Sequence, residues 1–253
     1  MKKLVFLLAL AAIASLTVTS PASAQNTAAD MAYVIVAEPM PGHASAFEEG
    51  ARKHLEWVGE EGGSWTWAVF EIAFGERTGQ YFFFSGGHTY ADFDQPDVNP
   101  VANAESIDRN VAPHVENAVA QLIRLRPDLS MVVPGAALSP LYEVVTFQLN
   151  PGHEPQWVHF LERLKTAFED TGFPIEYLVF QGAQGGTLGE WVVSIPHENF
   201  ASMSGPGDFD ALLEQAFGEF ESQSLLGILD EAIGSSTNEI FVLRRDLSLN
   251  LGN

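Results

Sequence analysis

The chain of 253 residues contains no cysteine. That absence removes disulfides, thiolate nucleophiles and cysteine-ligated metals together. It also removes lipid attachment to an N-terminal cysteine. Basic residues are scarce: 12 Lys and Arg stand against 33 Asp and Glu, for a formal charge of −21. Such a surface repels phosphate backbones and anionic head groups, so nucleic acid and membrane surfaces are disfavoured partners. The acidic residues form no compact cluster, and their plainest role is solubility. No Gly-x-Ser-x-Gly, His-Glu-x-x-His or nucleotide fingerprint occurs. Gly182-Ala183-Gln184-Gly185-Gly186 is glycine-rich, but it joins strand to strand, which is the wrong setting for a phosphate loop.

Long apolar runs are also missing, except at the start. Lys2 and Lys3 precede an apolar run over 4–18, and Ala22-Ser23-Ala24 supplies a small-residue cleavage pattern. The run of about 15 residues is short of the roughly 20 that span a bilayer. Residues 1–24 therefore read as a Sec-type signal peptide. The expectation is a periplasmic or secreted protein that is not a lipoprotein and has no membrane anchor after cleavage.

What is present is a duplication. Pro41-Gly42-His43 recurs as Pro151-Gly152-His153, 110 positions on. Val69-Phe70 recurs as Val179-Phe180, and Tyr81 answers to Trp191, at the same spacing. Leu125-Arg126-Pro127-Asp128-Leu129-Ser130 matches Leu243-Arg244-Arg245-Asp246-Leu247-Ser248 at 118. With Ala32 to Val36 answering to Leu141 to Val145 and His88 to His197, six matches in order at nearly constant spacing mark two copies of one unit.

Each copy reads as β-α-β-β-α-β. In the first, strands are expected over 33–38, 65–74, 80–84 and 119–125. Phe47, Ala51, Leu55 and Val58 give the stripe of a first helix, and a second helix is expected over 102–117, bent or ended by Pro113. In the second, strands are expected over 142–149, 175–181, 190–195 and 240–244. Trp157, Leu161, Leu164 and Phe168 mark the first helix, and Phe209 to Phe220 the second. The expected division is a first ferredoxin-like unit over 32–130, a linker over 131–140 and a second unit over 141–250. Trp67 to Phe70, Tyr81 to Phe84 and Tyr177 to Phe180 are apolar on both faces, whereas a two-layer unit alone wets one face. Each sheet therefore needs the other copy. The expected fold class is α+β, with two antiparallel sheets packing into an intramolecular α/β barrel. Monomer and homodimer are both allowed.

Tyr142-Glu143-Val144-Val145-Thr146-Phe147-Gln148-Leu149-Asn150-Pro151-Gly152-His153, followed by Trp157, resembles the opening of the NIPSNAP and antibiotic-biosynthesis-monooxygenase-like families. Tyr33 to Glu38, Pro41-Gly42-His43 and Phe47 carry a thinner version. These families belong to the dimeric α/β-barrel superfamily, and the resemblance covers both halves. It implies fold more than chemistry, because the superfamily includes cofactor-free monooxygenases, haem enzymes, isomerases and proteins of unassigned role. The preferred reading is a small-molecule-binding or accessory protein. A monooxygenase-like enzyme on an aromatic substrate is the alternative, and a haem-binding protein the second.

Candidate residues follow from chemistry and position. His88 and His197 come after the third strand of each copy, where an imidazole could act as a base near neutral pH; a hydrogen-bonded loop histidine is the simpler role. Trp67, Tyr81, Tyr177 and Trp191 would wall a pocket for a small apolar or aromatic molecule if they face inward, and otherwise fill the core. No cofactor is expected. Were haem present, His159, two residues beyond Trp157, is the chosen ligand. His43 and His153 read as turn residues, and His54 and His114 as helix residues. His88, Asp92 and Asp94 sketch a metal site that lacks a further ligand, and no metal is expected.

Overall fold

The computed structural model describes residues 29–132, 137–204 and 209–251. The expected signal peptide and positions 133–136 of the expected linker lie outside the described residues. The first half contains β1 (Met31–Pro39), α1 (Ala44–Glu60), β2 (Ala68–Phe74), β3 (Tyr81–His88), α2 (Pro100–Asn110) and β4 (Val115–Leu125). The second contains β5 (Leu141–Leu149), α3 (Glu154–Thr171), β6 (Leu178–Gln184), β7 (Glu190–His197), α4 (Phe209–Phe217), α5 (Glu219–Ala232) and β8 (Ile233–Leu243).

The strands form one antiparallel sheet in the order β1-β3-β2-β8-β5-β7-β6-β4, with β4 paired back onto β1. Within each half the order is the same: β4-β1-β3-β2 and β8-β5-β7-β6. Val36 lies opposite Phe82 and Val119, and its counterpart Thr146 lies opposite Val192 and Thr237. The halves then join by hydrogen bonding along two seams. Phe70 pairs with Leu243 on one, and Leu125 with Phe180 on the other. The sheet closes on itself, which removes the free edges that four-stranded sheets carry.

The repeated Leu-Arg-x-Asp-Leu-Ser segment explains itself here. After β4 the chain crosses to the second half, where the Arg126 amide donates to the Val179 carbonyl at 2.8 Å and the Ser130 hydroxyl accepts from the Val179 amide at 2.9 Å. After β8 it crosses back, with Arg244 and Ser248 making the same bonds to Val69 at 2.8 and 3.0 Å. Arg126–Asp128 and Arg244–Asp246 pairs hold the two turns. Leu129 is fully buried in the core of the second half and Leu247 in that of the first. Each half supplies a core side chain to the other.

Some elements differ from expectation. The α2 helix ends at Asn110, and Pro113 sits in a short 3-10 turn before β4. Trp65 to Trp67 precede β2 rather than belonging to it, with Trp67 held by a single bridge to Leu249. The β6 strand starts three residues later than expected, after Tyr177 bridges Met131. The single helix expected over 209–220 is two helices, because Gly218 takes φ 79° between them. The α5 helix and the early start of β8 at Ile233 occupy a stretch for which no element was expected.

Leu129→Ala and Leu247→Ala should each cost about 2–5 kcal/mol of stability. Leu188→Ala, at a position 92% exposed, should stay within about 0.5 kcal/mol. Urea unfolding checks this; losses for the two strap leucines no larger than for Leu188 would contradict the cross-half role.

Candidate functional site

The two halves share a fold but not an interior. In the second, Trp157, Phe160, Leu161, Phe168, Leu212, Leu213 and Leu225 fill the space between helices and sheet. In the first, the same space holds a cavity of about 770 Å³. The reason is legible position by position at the 110-residue spacing. Phe147, Trp157, Phe160, Leu161 and Phe168 answer to Ala37, Phe47, Gly50, Ala51 and Val58. Every replacement on the first-half side is smaller. Gly50 also lets α2 lie directly on α1, since a Cβ there would fall 1.8 Å from the Asn110 carbonyl oxygen. Beside α3, the second half covers its sheet with α4 and α5; beside α1, the first half has α2 alone.

One end of the cavity is walled by a cluster of rings. Tyr33 meets Trp67 at 5.7 Å and Phe93 at 6.4 Å, and Trp65 meets Phe93 at 5.8 Å, mostly edge to face. Such contacts add to area burial and fix ring orientation. Asp97 braces this wall: its carboxylate accepts from the Ser64 amide and hydroxyl at 2.7 and 2.9 Å and from the Trp65 amide at 3.2 Å. Asn103 and Gln95 add amide groups to a mostly apolar lining that also includes Tyr33, His54 and Asp97. No Lys or Arg lines the cavity among the described residues.

His54 of α1 lies on the cavity wall. Its Nδ1 shares a 3.0 Å hydrogen bond with the buried Ser106 hydroxyl of α2. Burial holds this imidazole below its ordinary value of 6.5, so it is neutral at pH 7. No hydrogen bond engages its Nε2 among the described residues, which leaves that nitrogen for a ligand. Sequence reasoning placed His54 as a helix residue only. The signal was its position one turn before Val58 on the stripe of α1, where the second half has Leu164.

The other expected residues fall as follows. His88 is buried behind the ring cluster, with Nε2 2.8 Å from the Ser85 hydroxyl and its ring 4.2 Å from Trp65; it braces the wall without lining the cavity. His197 lies in the second half, 3.6 Å from Glu143. Trp67 lines the cavity, whereas Tyr81 packs against Phe47 and donates to Glu48 under α1. Tyr177 and Trp191 are in the filled core of the second half. His159 is exposed on α3, outside both cavities described here. Asp92 caps the turn at Thr89, and no group of three or more metal-ligating side chains occurs among the described residues. His43 and His153 begin α1 and α3, with no side-chain cap bond.

Haem fits this arrangement poorly. Among the described residues, the cavity that holds His54 has no Lys or Arg in its lining to meet the haem carboxylates. His159 faces solvent.

No family model and no curated protein matches the chain. Solved structures do. A candidate monooxygenase of Lactobacillus acidophilus is similar with a TM-score of 0.54 at 10% identity, over 88% of this chain and 97% of its own. An anthrone oxidase-like protein gives 0.53 at 10%, over 89% and 94%. A candidate chlorite dismutase gives 0.50 at 11%, over 86% and 96%. At these identities the likeness is one of fold.

The depressed His54 has a consequence for stability. The unfolded imidazole takes up a proton near 6.5 and the folded one only at lower pH. Stability is therefore complete above that value and falls as pH drops towards the folded value. Thermal unfolding from about pH 7.5 to about pH 5.5 should show a steeper loss in the wild type than in His54→Gln; parallel curves would contradict the burial of a neutral imidazole.

Proposed function

We propose that this chain is an exported small-molecule-binding protein that holds a flat, neutral aromatic molecule in the first-half cavity. The carrying observation is the asymmetry between the copies: one keeps an aromatic-walled space with few polar groups, while large side chains fill the other. A cavity of this size and character is what ligand sites look like, and a duplicated unit needs only one. No cation lines the cavity among the described residues, and its carboxylate, Asp97, is taken up by the Ser64 and Trp65 donors, which argues for an uncharged ligand. The opening motif of the second half supports kinship with the NIPSNAP-like and antibiotic-biosynthesis-monooxygenase-like families, and the leader over 1–24 supports export.

A second reading is a cofactor-independent monooxygenase. It is favoured by one observation, the neutral His54 with an open Nε2 on the cavity wall, placed to take a proton from a bound phenol or enol.

One experiment addresses both readings. Protein is recovered from the exported fraction, with Gln25 expected as its first residue, and titrated with anthrone. Saturable quenching of Trp65 and Trp67 fluorescence is expected, weakened about ten-fold or more by Ala51→Trp, which fills the cavity. Recovery of unchanged anthrone fits the binding protein. Oxygen uptake lost in His54→Gln would establish the monooxygenase instead, and no quenching by anthrone or a comparable flat aromatic would remove both.

A further inference from the structure

A separate cavity of about 530 Å³ runs inside the closed sheet. Eight-stranded barrels are ordinarily just wide enough for their own side chains to fill. Here Val119, Gln121 and Thr237 stand at inward positions of β4 and β8 where larger apolar groups would close the bore. The helix-side cavity lies across the same wall: Phe82 and Phe84 face the bore, and Phe83 between them faces the helices. None of the five tryptophans lines the bore.

The bore has a polarity gradient. Phe70, Phe82, Phe84, Phe180 and Phe241 line its body. Glu38 is near the end of β1, Gln80 just precedes β3, Asn117 is near the start of β4, and Glu190 begins β7. Antiparallel order brings all four to one end, where the loop carrying Glu76 and Arg77 also lies. That end is the polar mouth.

The only cation lining the mouth among the described residues is already committed. Arg77 Nε donates to Glu239 Oε2 at 2.9 Å and Oε1 at 3.2 Å, and the Arg77 amide donates to Oε1 at 3.0 Å. Glu239 is 2% exposed. Gly75, at φ 119°, makes this approach: a Cβ there would lie 2.5 Å from Glu239 Cγ. Glu38, Glu76 and Glu190 make no ion pair among the described residues. Burial raises the Glu190 carboxyl above its ordinary value, with Arg77 and a hydrogen bond from Gln121 opposing. A carboxyl in that state gains from a cation brought to it.

We infer that the barrel bore is a second ligand site for an elongated apolar amine, its body against the phenylalanine rings and its ammonium group among Glu38, Glu76 and Glu190. The site does not depend on the helix-side cavity, so either reading can fail alone.

The test is calorimetric titration of the full chain with decylamine, decanol and decanoate below their aggregation limits. Decylamine should bind one per chain, about ten-fold or more tighter than decanoate. Glu190→Gln should weaken decylamine about ten-fold and leave decanol unchanged. Val119→Trp, at a strand position 45% exposed and so tolerant of bulk, should abolish binding of both. Equal affinity for decylamine and decanoate would overturn the inference, as would undiminished binding in folded Val119→Trp. Loss of binding in Ala51→Trp would overturn it too, by moving the amine to the helix-side cavity.

Discussion

Each four-stranded half of this chain has two strand edges whose amides and carbonyls need partners, and the other half covers both. The β2 edge meets β8 and the β4 edge meets β6. The straps after β4 and β8 then bolt the seams, with Leu129 and Leu247 inserted into the opposite cores. Unpaired edges and half-covered sheets are costly and prone to association. Everything else depends on this mutual closure. It creates the bore, fixes which face of each strand looks outward, and gives the helices a curved sheet to cover.

Much of this was legible in the sequence, and the reasons are physical. Strands apolar on both faces state that neither face meets water, so the demand for a second sheet could be read directly from Trp67 to Phe70 and Tyr177 to Phe180. The repeated Leu-Arg-x-Asp-Leu-Ser segment was visible as a match, but its crossing between halves was not. Only the partner strand shows that Ser130 answers Val179 and Ser248 answers Val69. Doubly apolar strands also hide which residues face which side, because alternation carries no signal when both faces are buried. That is why Tyr81, Tyr177 and Trp191, expected at a pocket, lie under helices. The break at Gly218 and the Leu225, Leu226, Ile228, Leu229 stripe of α5 are both signals carried by the sequence itself.

The candidate site was legible in a different way. No motif marks it, since it is made of what the first copy lacks. Ala37, Gly50, Ala51 and Val58 are unremarkable alone and informative only beside Phe147, Phe160, Leu161 and Phe168. Likewise His54 gains meaning from Leu164 at the matching position. A duplicated chain thus carries its own comparison: where one copy packs to native density and the other does not, the difference points to a use for the space.

The halves form one cooperative unit closed by their seams. Hydrogen exchange of the intact chain tests it most directly, read at the cross-half amides of Trp67, Arg126, Tyr177 and Arg244, each bonded to the opposite half or its strap. These amides should be protected as strongly as those in the β1–β3 and β5–β7 ladders, all exchanging through a single global opening. Seam amides that exchange far faster while the ladders stay protected would show two halves that stand alone, and would contradict it.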